Sequence, residues 1–214
     1  AVVFIDPTLN PDGRDRHSQW ANQYKSINLV ADSNDAEHNE SWPRGRTNHY
    51  WFDLNRDWLL AIHPESRGKL NWLHEWYPNV VLDVHEMGTN SNYFFDPMKS
   101  SASVKPLIPQ ENVDLYPIFA EYYVKYMDSI GSFYYTKESF DETYPGYGST
   151  YSDLQGGLAL LFEQASSRGH VQETNYGEMT FGFTIRNQFL NGIATVEAAV
   201  DNKILLRDYQ KRFF

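Results

Sequence analysis

The chain has 214 residues, 41% of them hydrophobic and 16% aromatic, with a formal net charge of -10 and no cysteine. That is the composition of a globular chain with a sizeable core, read here as a single domain over residues 1–214. It excludes a disulfide scaffold, a thiolate zinc site and a cysteine nucleophile, it lacks the basic stripe a nucleic-acid binder needs, and no apolar run approaches the ~20 residues of a membrane span.

In chain order, residues 2–5 form an apolar run that opens the sequence without an initiator Met. They are expected as a strand leading into Asp6 and then into a turn at "NPDG", residues 10–13. This abrupt beginning carries the expectation that upstream sequence is missing. Residues 20–46 read as a polar loop. Residues 64–77 place Leu70, Trp72, Leu73 and Trp76 at helical spacing, with Pro64 at the start and Pro78 as the stop. Residues 80–84, interrupted only by Asp83, read as a buried strand that ends in His85 and Glu86. Residues 98–111 contain "SSAS" and two prolines, a loop. Residues 112–130 carry Leu115, Ile118, Phe119, Tyr122, Tyr123 and Tyr126 on a helical face, and residues 133–136 suggest a further strand. Residues 143–157, rich in glycine and tyrosine, are a candidate mobile flap. Residues 158–162 form another buried strand, ending in Glu163. Residues 180–214 read as a long helix interrupted near Gly192.

Strands alternating with helices give an α/β fold, with a mixed, largely parallel sheet flanked by helices. Ligands in such sheets sit outside the carboxyl ends of the strands. Asp6, His85 and Glu163 all fall at expected strand ends.

Taken singly, these residues carry little: a strand-end histidine is more often structural than a ligand, and an Asn-Arg pair in a loop is usually a turn beside a surface charge. Their order is more informative. "NPDG" is followed by "GRTNHYWFDLNRDW" at 45–58, "VVLDVHEMG" at 80–88 and "LALLFEQASSRG" at 158–169. This series resembles the zinc carboxypeptidase family, the funnelin-type metallopeptidases, over nearly the whole chain. Its most specific element is R-x-N-x-x-x-x-D-L-N-R, from Arg46 to Arg56.

The resemblance implies a role for each matching residue. His85 matches the third zinc ligand, so the implied cofactor is Zn2+. Arg46 matches the arginine that polarises the scissile carbonyl, and Glu163 the general base. Asn55 and Arg56 match the pair that grips a terminal carboxylate, for which a guanidinium fork is suited; the implied partner is a peptide with a free C-terminus. Tyr144 best fits the family's flap tyrosine, with Tyr147 and Tyr151 as rivals. Members of this look are often exported, which implies a secreted or periplasmic location.

The sequence departs from the family in three ways. The first two zinc ligands belong to an H-x-x-E motif upstream of "NPDG", and none stands there. The one H-x-x-E present, "HVQE" at 170–173, lies downstream of the expected base and reads as a coincidence. Trp51 and Phe52 replace the small residues usual before D-L-N-R. The expectation is therefore a carboxypeptidase-like domain without its N-terminal part, whose sheet shows an unpaired edge. An amidohydrolase of N-acyl amino acids is the competing enzyme reading. A metal-free module that binds peptide C-termini through Asn55 and Arg56 is the non-enzyme one.

Overall fold

The computed structural model describes residues 1–99 and 107–214. Much of the loop expected at 98–111 lies outside the described residues. Helix α1 (Pro11–Tyr24) is followed by irregular chain with a 3-10 turn at Ala36–His38 and a second at Leu54–Arg56. Then come α2 (Pro64–Trp76), β1 (Val80–Met87), β2 (Tyr93–Phe95), α3 (Gln110–Val113), α4 (Tyr116–Ile130) and β3 (Tyr134–Tyr135). Helix α5 (Gly148–Tyr151) and a 3-10 turn (Asp153–Gln155) lead to β4 (Leu158–Ala165). The chain closes with the hairpin β5 (Val171–Thr174) and β6 (Gly177–Thr180), then α6 (Phe181–Asp201) and α7 (Lys203–Phe213).

The main sheet has the order β1-β4-β2-β3. β1 and β4 run parallel, β2 and β3 run parallel, and β2 meets β4 antiparallel. The sheet is thus mixed and mostly parallel, with helices on both faces, as the alternation of patterns predicts. Strand β1 forms one edge.

Period-two alternation divides the strands between two layers. Leu158, Leu160 and Phe162 of β4 and Tyr93 and Phe95 of β2 face one side. There they pack with Phe119, Tyr123 and Met127 of α4, Ala194 and Ala198 of α6, and Leu206 and Tyr209 of α7. Val81 faces the other side, toward Trp58, Leu70, Leu73 and Tyr151. The β1–β4 register pairs Asp83 with Leu161 and His85 with Glu163 on this second face.

Six expectations are corrected. Residues 2–5 pair with no strand and are exposed; Phe4 instead lies against Trp72 and Trp76, at 5.5 and 4.7 Å between ring centroids. Asp6 is therefore no strand end: its carboxylate accepts from the Thr8 amide. "NPDG" is the start of α1, not a free turn. Asn10 caps the helix by accepting from the Gly13 amide, and Pro11 takes the first-turn position where its missing N–H costs nothing. The expected loop from residue 20 consequently begins inside that helix. Residues 143–157 fold into α5 and a 3-10 turn whose residues Gly148 to Asp153 are buried, so the greater part is packed structure. The C-terminal helix breaks at Asn202 and runs unbroken through Gly192, because a glycine inside a packed helix costs only ~1 kcal/mol.

Candidate active site

The motif at 45–58 first builds its own loop. Asn48 is buried, and its side-chain oxygen accepts from the amides of Tyr50 and Phe52 at 3.0 and 3.1 Å. Asp53 caps the short turn that follows, accepting from the Asn55 amide at 2.9 Å, and its other oxygen holds Arg46 Nε at 3.0 Å. Asp57 accepts from the amides of Ile62 and His63 and so fixes the entry to α2. Asn10 Nδ2 donates to the carbonyls of Gly45 and Arg46 at 3.4 and 3.3 Å. The "NPDG" segment is thereby tied to the backbone of the arginine.

Asn55 then reaches the sheet. Its oxygen accepts from Trp58 Nε1 and from the Gly148 amide, both at 2.9 Å. With the oxygen fixed in this way, Nδ2 points at β1, 2.9 Å from His85 Nε2 and 3.3 Å from Asp83 Oδ2. His85 Nε2 also lies 2.9 Å from Asp83 Oδ2. Asp83 and His85 stand two residues apart on one strand, hence on one face.

Charge is concentrated here. Burial disfavours the Asp83 carboxylate, but His85, Asn55 and Lys69 together hold its pKa below the usual value. Burial likewise opposes the charged form of His85, yet Asp83 outweighs it and the pKa is raised. Lys69 is buried behind the pair, its Nζ 3.4 Å from the centre of the Trp58 ring. Burial lowers the Lys69 pKa to about 8 against the pull of Asp83, Asp57 and Asp6. Glu163, opposite His85 on β4, is raised to about 7 by burial, against the attraction of His85 and Arg46.

Arg56 donates to the Asn55 carbonyl at 2.8 Å, and its guanidinium lies 4.4 Å from the centre of the Tyr147 ring. Tyr144 donates to the Arg56 carbonyl at 3.1 Å. Tyr151 is buried against α2, where its hydroxyl meets His74 Nε2 at 2.8 Å, so it takes no part in the site. Glu86 points to the opposite face from His85 and accepts from Ser166 Oγ at 2.7 Å.

Arg46, Asn55, Arg56, His85, Tyr144 and Glu163 are thus gathered at the carboxyl-terminal halves of β1 and β4 and the loops beside them. Asp83, Asn48, Asp53 and Lys69 are the residues that sequence reasoning passed over. The spacing of Asp83 and His85 was the available signal for the first. Nothing local marks Lys69, whose charge acts on Asp83 from another element.

His85 Nε2 faces Asp83 and Asn55, an orienting arrangement common behind a ligating histidine, so Nδ1 is the ring nitrogen that could take a metal. A catalytic zinc takes about three protein ligands. His85 belongs to no group of three or more donor residues among the described residues, so the residues around it do not make a complete zinc site. One ligand group is present elsewhere: Asp12, His49 and Glu65 offer atoms within 4.8 Å of one another. There His49 Nδ1 is 2.7 Å from Asp12 and 3.7 Å from Glu65, so a single nitrogen serves both carboxylates. In "HVQE", His170 precedes β5 and is held at 2.6 Å by Glu37, while Glu173 lies three positions on, toward the opposite face.

No family model matches the chain, and no curated protein does. A solved structure does: a metallo-carboxypeptidase from Burkholderia cenocepacia superposes with a TM-score of 0.54 at 16% identity, over 73% of this chain and 40% of that one. The fold is therefore carboxypeptidase-like, and the match spans less than half of that neighbour's length. Among the described residues no helix is long and apolar enough to cross a membrane.

Proposed function

We propose that the chain belongs to a zinc-dependent carboxypeptidase that hydrolyses the C-terminal bond of peptides. The observation that supports this most is the pairing of His85 with Glu163 across parallel strands, with Asp83 and Asn55 behind the histidine. Glu163, whose pKa burial raises to about 7, takes a proton from the attacking water and passes it to the leaving amine. Arg46, steadied by Asp53, stabilises the carbonyl oxyanion. Asn55 has its amide committed to protein partners, so it positions His85, and the terminal carboxylate falls to Arg56 beside Tyr144 and Tyr147. Zinc, held in part by His85, would supply Lewis acidity when bound.

The test compares kcat/KM for a peptide acid and its C-terminal amide, in the wild type and in Arg56→Ala. The wild type is expected to prefer the acid by at least about tenfold, with much of that preference lost in the variant. Glu163→Gln is expected to lower turnover by about 100-fold or more. Equal cleavage of acid and amide would overturn the exopeptidase reading. Hydrolysis of N-acyl amino acids with peptides left intact would replace it with the amidohydrolase.

A further inference from the structure

The two strands that carry His85 and Glu163 are also gripped from the other layer, by neighbouring side chains of α6. Asn187 Nδ2 donates to the side-chain oxygen of Gln164, the residue after Glu163 on β4, at 2.9 Å, and to Ser132 Oγ at 3.0 Å. Gln188 Nε2 donates to the backbone carbonyl of His85 on β1 at 2.9 Å. Its Oε1 accepts from the Tyr93 hydroxyl at 2.8 Å, and Tyr93, on β2, is fully buried in the layer that α6 covers.

The Gln188 amide fits in one orientation. Turned over, it would set its oxygen against the His85 carbonyl, two acceptors with no proton between them. The Tyr93 hydroxyl, donating to Oε1, holds the amide the right way round. A leucine of similar size at this position would leave the His85 carbonyl and the Tyr93 hydroxyl without these bonds.

The end of β1 has few other restraints. Among the described residues β1 meets the sheet through β4 alone. Asp83 steadies the His85 ring, but it stands on the same strand and moves with it. Asn55 reaches the ring from the opposite face. Gln188 is the side chain that grips the His85 backbone, from a helix tied to β2 and β4 by Tyr93 and Gln164. A misplacement of about 1 Å between reacting groups can cost about 100-fold in rate, so such a restraint matters to a site built from two strands.

We infer that Gln188 is a positioning residue for His85: oriented by Tyr93, it fixes where the imidazole stands relative to Glu163. The part it plays in turnover rests on the function proposed above; the placement of the ring does not.

The experiment compares Gln188→Leu and Tyr93→Phe with the wild type. In metal-free protein at a single pH, NMR reads the His85 carbonyl carbon and ring nitrogens. Both sets of signals are expected to move in Gln188→Leu, and to move less in Tyr93→Phe, which keeps the donor and loses the group that orients it. In the zinc-loaded enzyme, Gln188→Leu is expected to lower kcat by about tenfold or more while KM for a peptide acid changes by less than about twofold, because Arg56 is untouched. Ring signals at their wild-type positions in a folded Gln188→Leu protein would overturn the inference, as would a raised KM with kcat retained. Should Gln188→Leu fail to fold, unmoved ring signals in Tyr93→Phe overturn it equally. A wild type that hydrolyses no peptide overturns the proposed function instead, and the ring signals still decide the placement.

Discussion

At the scale of single residues, the site is a set of side chains that hold one another in place. Asp83 is the centre of that set. Asn55 Nδ2 and His85 Nε2 lie 3.3 and 2.9 Å from its Oδ2, and with the more distant charge of Lys69 they keep its ionised form favoured although burial opposes it. Asp83→Asn would remove the charge that raises the His85 pKa. The protonated ring would then be favoured less in the folded protein, and the His85 titration midpoint, followed by NMR in metal-free protein, is expected to move down; an unmoved midpoint would show that Asp83 does not govern the ring. The six residues that the resemblance selected occupy one region. Their individual tasks were not legible, because a sequence does not show which polar groups already have partners. For Asn55, expected to grip a substrate, the sequence did not show that its amide also meets Trp58, Gly148 and β1.

At the scale of elements, two glycines set how closely segments approach. Gly13, in the first turn of α1, lies so near the Gly45 carbonyl that any Cβ would overlap it. Gly148, at the start of α5, would place a Cβ 2.6 Å from Asp83 Oδ2 and 2.9 Å from the Trp58 ring. Gly148→Ala should push α5 off the site and break the bond from the Gly148 amide to Asn55. The expected cost is ~1–3 kcal/mol of stability, read from chemical denaturation, together with reduced activity. A fully stable variant would show that the loop yields freely. Asn10→Ala removes the cap of α1 and the contacts to the Gly45 and Arg46 carbonyls, and should cost about 1 kcal/mol or somewhat more. Helices α2 and α4 and strands β1 and β4 were legible because each carries a strong apolar period. Helix α1 was not: of its fourteen residues only Gly13 and Ala21 are buried, so its sequence has little apolar face to read.

At the scale of the whole molecule, three acids are buried together between β2, the 141–152 segment and β4. Asp96 accepts from the Leu161 amide, Glu142 from Thr150, and Asp153 from the Ala159 amide and the Tyr116 hydroxyl. Burial raises all three pKa values, Asp153 to about 7 and the other two well above the carboxylate range, with Asp96 and its acidic neighbours adding to the effect. A carboxyl whose folded pKa lies above its unfolded value stabilises the fold fully only below that unfolded value, near 4, and loses the contribution as pH rises through the folded pKa. Stability should therefore fall as pH rises above about 4, at up to about 1.4 kcal/mol per pH unit for each group still protonated in the fold, with the Asp153 share spent by about pH 7 and a matching drop in Tm. Asp96→Asn, which keeps the acceptor for Leu161, should flatten that decline; an unchanged slope would show that Asp96 is not among the groups responsible. Below about pH 4, protonation of Asp57 and Asp83, whose pKa values are lowered, should destabilise the fold in turn. None of this trio was singled out from the sequence, since its members are 11 to 57 residues apart and each looks like an ordinary loop acid. By itself the sequence determined the layered α/β plan and the region of the candidate site, because hydrophobic period and motif order are local properties of the chain. Only the tertiary structure decided which polar groups are already satisfied and which are left open, as at Asn55, Asp83 and Asp96, because hydrogen-bond partnership depends on segments that folding brings together from far along the chain.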